Sequence, residues 1–282
     1  MAVIKVLEPG FSTAVIDLGR RSYQSSGVPI SGPMDMISFR MANALLNNFE
    51  GASVLECTLQ GPNLIFEEPT SVCITGAETQ LLHNDNPVST NKVIHIEAGD
   101  KLKIGRCVKG MRCYLAIKHG FHSPEYLESK SFYYPISPKS FLSANDELEY
   151  SSIEHKYTGN PVRIKSSIFL YRESLWVSKG PEWDLIKDKE HQLIDTRLPV
   201  GPNNRMGYRI DSDLETPSTS MFSSAVIPGT IQLTPSGQLL IATADCQVTG
   251  GYPRILVLDE IGLSILAQKR TGQSISLNWK RD

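Results

Sequence analysis

A chain of 282 residues, 40% hydrophobic and 21% charged, has the make-up of a soluble globular protein, long enough for one large core or two ordinary domains. Its net charge of −2 and its scattered Lys and Arg argue against a nucleic-acid surface or a polybasic membrane patch. No apolar run nears the roughly 20 residues that span a bilayer, and residues 1–6 lack the pattern of a signal peptide, so a cytoplasmic location is expected.

Short β-rich runs, separated by Gly, Pro, Asn and Asp, recur along the chain and predict a mainly β protein. In the first half they cover residues 2–7, 64–66, 71–74, 93–96, 101–104 and 113–117; in the second, 167–171, 230–233, 239–243, 255–258 and 274–277. Helical spacing of apolar residues predicts a helix over 35–47, with Asp35 as its cap or first-turn acid, and a short helix over 261–268. Residues 178–190 read as a third, weaker helix. EAGDKL at 97–102 echoes RTGQSI at 270–275, each opening a strand, which suggests a duplication. The polar stretch 151–161 then marks a boundary between domains 1–160 and 161–282, with a single large sandwich as the competing architecture.

Cys57, Cys73, Cys107, Cys113 and Cys246 form no C-x-x-C pair, and the histidines show no ligand spacing, so no metal site is expected. Cys73 and Cys113 sit in strand patterns and read as small core residues of a reduced protein. There is no G-x-x-x-x-G-K-[ST], no G-x-G-x-x-G after a strand, no H-E-x-x-H and no G-x-S-x-G.

Four polar segments carry candidate chemistry. Residues 17–35 run from Asp17-Leu18-Gly19-Arg20 to GVPISGPMD, a shaped loop rich in Gly and Pro. Arg20 offers a planar fork for a carboxylate or phosphate. Ser31 donates to a substrate or closes a local turn, and Asp35 contacts substrate or merely caps the helix. GPNNRMGYR at 201–209 places Asn204 and Arg205 for a polar planar ligand, or is simply a tight turn. Residues 227–238 read as a hairpin with Gln232 on its polar face.

In the fourth segment, the apolar run 239–242 delivers Asp245, Gln247 and Thr249 to paired glycines, Gly250 and Gly251, followed by Tyr252 and Pro253. Such glycines allow positive φ, and the freed N–H groups would form an anion nest; a structural turn is the alternative. Cys246 beside Asp245 is a further candidate nucleophile, without an accompanying His.

GVPISGPMD, NNRMGYR, PGTIQLTPSGQLLIATADCQVTGGYPRI and the closing LAQ resemble the KipA family, from about Gly10 to Leu277. That family contains the KipA-type subunit of 5-oxoprolinase and is related to the carboxyltransferase domain of urea carboxylase. The resemblance implies two cyclophilin-like β-barrel domains with a few short helices. It also implies a KipI-like partner and a LamB/YcsF-like subunit, which together would open 5-oxo-L-proline to L-glutamate with ATP, accompanied by Mg2+ and bound in the assembled complex. Departures fall mainly in the first half: Ile16 replaces the usual Gln before Asp17, Ser22 displaces a Gly, and His119-Gly120 replaces Gly-Gly. Residues 128–132 read Glu-Ser-Lys-Ser-Phe where a Gly-Ser-Arg-Ser-Thr-type segment is usual, and the Gly-rich loop beyond is shortened to 135–139. In the second-half loop only Val248 departs, where Thr is common.

Residue chemistry and motif position make Asp245 the base or orienter, with Thr249, Gly250 and Gly251 supplying donors. Arg205 or Arg20 would hold the substrate carboxylate, and Ser31, Asp35, Asn204, Gln232, Gln247 and Tyr252 would complete the binding set. One rival reading is a biotin-dependent carboxyltransferase acting on urea or an amide, with biotin on another chain because no Met-Lys-Met motif is present here. The other is a non-catalytic antagonist that sequesters a KipI-type kinase inhibitor.

Overall fold

The structure, a computed structural model, describes residues 1–153, 168–212, 214 and 221–280. The chain divides into two compact units, Met1–Gly19 with Ser31–Ser167, and Arg20–Ile30 with Ile168–Asp282. The boundary expected at 160/161 lies outside the described residues, as does most of the polar stretch 151–161.

The first unit is a ten-stranded antiparallel sheet. Its strands are β1 (Ala2–Glu8), β2 (Ser12–Ile16), β3 (Val54–Thr58), β4 (Asn63–Phe66), β5 (Thr70–His83), β6 (Asn86–Pro87), β7 (Val93–Ile96), β8 (Lys101–Ile117), β9 (Phe121–His122) and β10 (Glu147–Tyr150). Alternation puts Ala2, Ile4 and Val6 of β1 in the core, beside Leu148 and Tyr150 of β10. Ile4, Val6 and Leu148 each contribute about 1.5–3 kcal/mol by burial.

Helix α1 (Met36–Leu45) lies where its pattern placed it. The Asp35 carboxylate caps it, accepting from Ser38 N at 2.9 Å and Ser38 Oγ at 2.6 Å. Phe39, Ala42 and Leu45 recur at helical spacing and pack on Cys73, Tyr114 and Ala116 of β5 and β8.

The runs 101–104 and 113–117 are not separate strands but the two ends of β8. The intervening GRCVKGMR looks like a turn in sequence. It is a bulge instead, with the register against β5 shifting between Gly76 and Glu78 and Gly110 at a φ of 82°. Strands β2 and β3 carry weak sequence signals because their apolar runs are only two or three residues long, Ala14-Val15-Ile16 and Val54-Leu55.

In the second unit β11 (Ser174–Lys179), β12 (Arg197–Asn203), β13 (Gly207–Ile210), β15 (Thr230–Leu233), β16 (Leu239–Ala242), β18 (Arg254–Leu258) and β19 (Ser274–Trp279) close a barrel in the order β11-β18-β15-β16-β13-β12-β19. The β11–β19 pairing is parallel, and the other strand pairings are antiparallel. A two-stranded ribbon of β14 (Ser224–Ala225) and β17 (Thr249–Gly250) stands apart from the barrel sheet. Helix α2 (Glu260–Leu266) is capped by Asp259, whose carboxylate accepts from Gly262 N at 2.8 Å.

Two expectations fail in this unit. Ile168–Tyr171 is a 3-10 turn rather than a strand, the strand beginning later at Ser174. Residues 178–190 form no continuous α-helix: Gly180-Pro181 follows β11, and two 3-10 helices come next, Trp183–Leu185 and Lys187–Gln192. Tertiary contacts hold them, with Trp183 edge-on to Trp279 and Trp279 Nε1 donating to Glu190 at 2.6 Å. The echoed hexapeptides do make the same local structure. Asp100 N donates to Glu97 O and Gln273 N to Arg270 O, both at 3.1 Å, with Gly99 and Gly272 at positive φ before β8 and β19.

Candidate functional site

Gly207 of β13 pairs with Ala242 of β16, and this small pair leaves a depression in the barrel sheet. It lies on the face opposite Tyr208, Ile231 and Ile241, fully buried side chains that alternate with it. Leu240 completes an apolar floor, and the cavity above measures about 330 Å3, at the small end for a ligand pocket. Four carboxamides line it, from Asn203, Asn204, Gln232 and Gln247, together with Arg209.

Two of these amides have their polarity fixed by the fold. Asn204 Oδ1 accepts from Met206 N at 2.8 Å and Gly207 N at 3.2 Å, which leaves Nδ2 as the outward donor. Gln232, nearly inaccessible to solvent, donates Nε2 to the Tyr252 carbonyl at 3.2 Å, which leaves Oε1 as the acceptor. The site thus offers a donor and an acceptor over an apolar floor. That pattern complements the C=O and N–H edge of an amide.

Gly250 is required by packing here. An added Cβ would stand 2.7 Å from Gln232 Nε2 and 3.1 Å from Val226 Cγ2. Neither Gly250 nor Gly251 takes a positive φ. The expected anion nest is therefore not formed: Thr249 and Gly250 are extended and paired with Ala225 and Ser224. Thr249 is exposed, as is Tyr252, and Gly251 faces open space apart from Met221 O at 3.9 Å from an added Cβ.

Asp245 and Arg205 meet as a two-pronged ion pair, Nε to Oδ2 at 2.8 Å and Nη2 to Oδ1 at 3.0 Å. Their side chains are only 10% and 13% exposed. The Arg205 carbonyl reinforces the same contact, accepting from Asp245 N at 2.8 Å and from the Thr243 hydroxyl at 2.7 Å. Both carboxylate oxygens of Asp245 thus face a guanidinium, the geometry of an orienting group. Cys246 is buried, and burial together with the Asp245 charge pushes its thiol up to about 12, so the nucleophile reading is removed.

A second clamp was invisible in the sequence. Arg254 engages Glu182 through Nε at 3.0 Å and Nη2 at 2.8 Å, and its Nη1 reaches the Ala225 carbonyl at 3.0 Å. Hydrogen bonds from Arg254 hold the Glu182 carboxyl below its usual value, outweighing the burial that would raise it. This pair ties the start of β18 to the segment after β11. Nothing in the spacing of residues 182 and 254 announces it.

The first-half residues sit elsewhere. Arg20, grouped with the second unit, is buried, and its N–H closes the 20–30 loop on Ile30 O at 2.7 Å; it is not among the described cavity residues. Ser31 and Asp35 belong to the first unit and are wholly buried. Asp35 N donates to Tyr114 Oη at 2.8 Å, and Tyr114 donates to Glu56 Oε2 at 2.8 Å, so Asp35 serves the start of α1. Burial, then the charges of Glu56 and Asp35, raise the Tyr114 hydroxyl well above its usual value.

A larger hollow of about 810 Å3 in the first unit holds none of the expected residues. Its Lys139 is paired with Asp146 at 2.6 Å and its Lys130 Nζ contacts the Phe121 carbonyl at 3.4 Å. Among the described residues there is no cluster of His, Cys, Asp and Glu suited to a metal ion. No helix among them is long and apolar enough to cross a membrane.

Residues 26–279 match the family described as carboxyltransferase domain, subdomain A and B. The chain is 30% identical to the 5-oxoprolinase C-subunit of Escherichia coli K12, over 97% of this chain and 90% of that protein. The crystal structure of TTHA0988 superposes with a TM-score of 0.86 at 26% identity, covering 98% of this chain and 56% of that one. The Kluyveromyces lactis urea carboxylase structure gives a TM-score of 0.83 at 26% identity, covering 98% of this chain and 27% of that one. The chain therefore spans about half, or about a quarter, of the solved structures it matches.

Proposed function

The chain belongs to the carboxyltransferase-domain family that includes the 5-oxoprolinase C-subunit, and from that premise we propose that it is the lactam-binding subunit of an ATP-dependent 5-oxoprolinase. Its partners in this reading are a KipI-like and a LamB/YcsF-like subunit, and its barrels are of the cyclophilin-like kind. The observation that carries the reading is the carboxamide-lined cavity. A lactam holds its amide cis, so N–H and C=O project from one edge, toward Gln232 Oε1 and Asn204 Nδ2. The ring methylenes rest on Leu240 and Ala242.

Hydrolysis needs the amide resonance broken and water brought to the carbonyl carbon. Donors from Asn204 and Gln247 stabilise negative charge gathering on the carbonyl oxygen. Asp245 holds Arg205 in place rather than acting as the base, because both its oxygens are engaged. The Tyr252 carbonyl and the close approach of Gly250 fix Gln232, while Thr249 and Gly251 are not among the residues that line the cavity.

The described residues do not fit a triphosphate. The cavity has a single cationic lining residue among them, and no glycine-rich loop leads into a helix there. ATP with its Mg2+ is assigned to the partner subunits, and no step here is routed through it.

The test is glutamate release from 5-oxo-L-proline and ATP, with the chain alone and then mixed with both partner subunits. Release only in the mixture supports the reading, and no release from a proven assembly removes it. Carboxyl transfer to urea or an amide is the second reading, favoured by the likeness to urea carboxylase. It predicts turnover with a biotin carrier and no glutamate release.

A further inference from the structure

We infer that Arg209 is the carboxylate clamp of this cavity, and that it restricts the site to amides bearing an acid group; the inference rests on the lactam-binding reading above. Arg209 lies on β13 in register with Leu240, on the cavity face. Its backbone pairs with Leu240, while its side chain is exposed and its guanidinium makes no hydrogen bond or ion pair among the described residues. Gly201 of the neighbouring β12 gives it room: a Cβ there would come within 3.0 Å of Arg209 O and 3.5 Å of its Cβ.

Among the described residues lining the cavity, Arg209 alone carries charge, and there is no Asp or Glu opposite it. A neutral ligand would leave that guanidinium to solvent alone. An anionic ligand would complete the site, and the planar fork matches a carboxylate with two parallel hydrogen bonds. Arg205, the obvious cation of the NNRMGYR motif, is already held by Asp245. The division of labour is then plain. Asn204 and Gln232 read the amide, and Arg209 reads the acid. Urea has no group for Arg209, so the same residue separates the oxoprolinase reading from carboxyl transfer to urea.

The test is a calorimetric titration of the full chain with 5-oxo-L-proline, its uncharged carboxamide, and urea, using wild type, Arg209→Gln and Arg209→Lys. The wild-type chain is expected to bind the acid on the order of 10- to 100-fold more tightly than the carboxamide, the scale of one charged hydrogen-bonded contact. Arg209→Gln should abolish that preference without weakening the carboxamide, and Arg209→Lys should restore part of it. In the assembled complex, the same Arg209→Gln change should raise KM for the acid by a similar factor and leave kcat within a few-fold. The inference is overturned if wild type binds no acid or shows no preference. It also falls if Arg209→Gln keeps the preference, or weakens both ligands equally. An Arg209-dependent acid preference without glutamate release from the assembly would uphold the clamp and remove the oxoprolinase reading instead.

Discussion

Breaking the Arg205–Asp245 pair from one side should destabilise the second unit by about 3 kcal/mol, within the range measured for truncating one partner of a buried ion pair. The pair is nearly dry, 10% and 13% exposed, so solvent screens it little. Asp245→Asn turns one of two acceptors, at 2.8 or 3.0 Å from a guanidinium nitrogen, into a donor facing a donor. Arg205→Met removes the cation and leaves the carboxylate buried alone. The main-chain bond between the two residues survives either change, so the loss belongs to the side chains. Combining the two changes removes both charges, and the double variant should cost clearly less than the sum of the singles, with a coupling of about 2 kcal/mol. Urea denaturation of the four proteins, followed by far-UV circular dichroism, measures it. Singles that cost under about 0.5 kcal/mol, the scale of an ordinary surface substitution, would refute the reasoning. So would additive losses, because the two side chains would then not be acting on each other.

Gly250→Ala should cost about 1–3 kcal/mol by overpacking, since its Cβ would stand 2.7 Å from Gln232 Nε2. It should also weaken lactam binding, and a variant binding as tightly as wild type would separate Gly250 from the site. Glu182→Gln should lower stability at pH 7, because the Glu182 carboxyl is depressed in the folded protein by Arg254. A depressed folded value means the stabilisation is complete above the unfolded value of 4.5 and fades as pH falls through the folded one. Denaturation midpoints of wild type and variant should therefore converge below that pH, and a constant gap down to pH 3 would contradict this. Cys246, with its thiol near 12, should resist iodoacetamide at pH 8 in the native chain, where the thiolate fraction is ~10⁻⁴. Mass spectrometry showing Cys246 labelled as fast as a free thiol would undo the structural reading of that residue.

The fold was legible wherever a local pattern had no tertiary competitor. Helix α1 follows from Asp35 and the spacing of Phe39, Ala42 and Leu45, and the paired turns before β8 and β19 follow from their glycines. Legibility failed where tertiary structure overrode local composition. Residues 105–112 look like a turn, yet bulges let β5 and β8 continue past each other for 14 and 17 residues. Residues 178–190 read as one helix, but β11 takes the first two, and the Trp183–Trp279 contact and the Glu190 hydrogen bond hold the rest as short 3-10 helices.

At the site, sequence named the right segments, while the assignment of each side chain depended on pairing that only the fold creates. Asn204, Gln232 and Gln247 come from three separate segments, and what joins them is the β13–β16–β15 register. The same dependence explains the departures in the first half. Asp17 accepts hydrogen bonds from Ser129 Oγ at 2.6 Å, Lys130 N at 2.6 Å and Ser131 Oγ at 2.8 Å, besides Gly19 N at 2.8 Å. The two serines of the altered Glu-Ser-Lys-Ser-Phe segment are therefore the residues that anchor it to Asp17, while the changed positions beside them contribute at most a backbone N–H to that anchor. A motif can lose its familiar letters and keep its frame when the retained side chains are those that meet the half-buried acceptor. Divergence in this loop thus bears on what its exposed side chains recognise, and leaves the path of the chain around Asp17 intact.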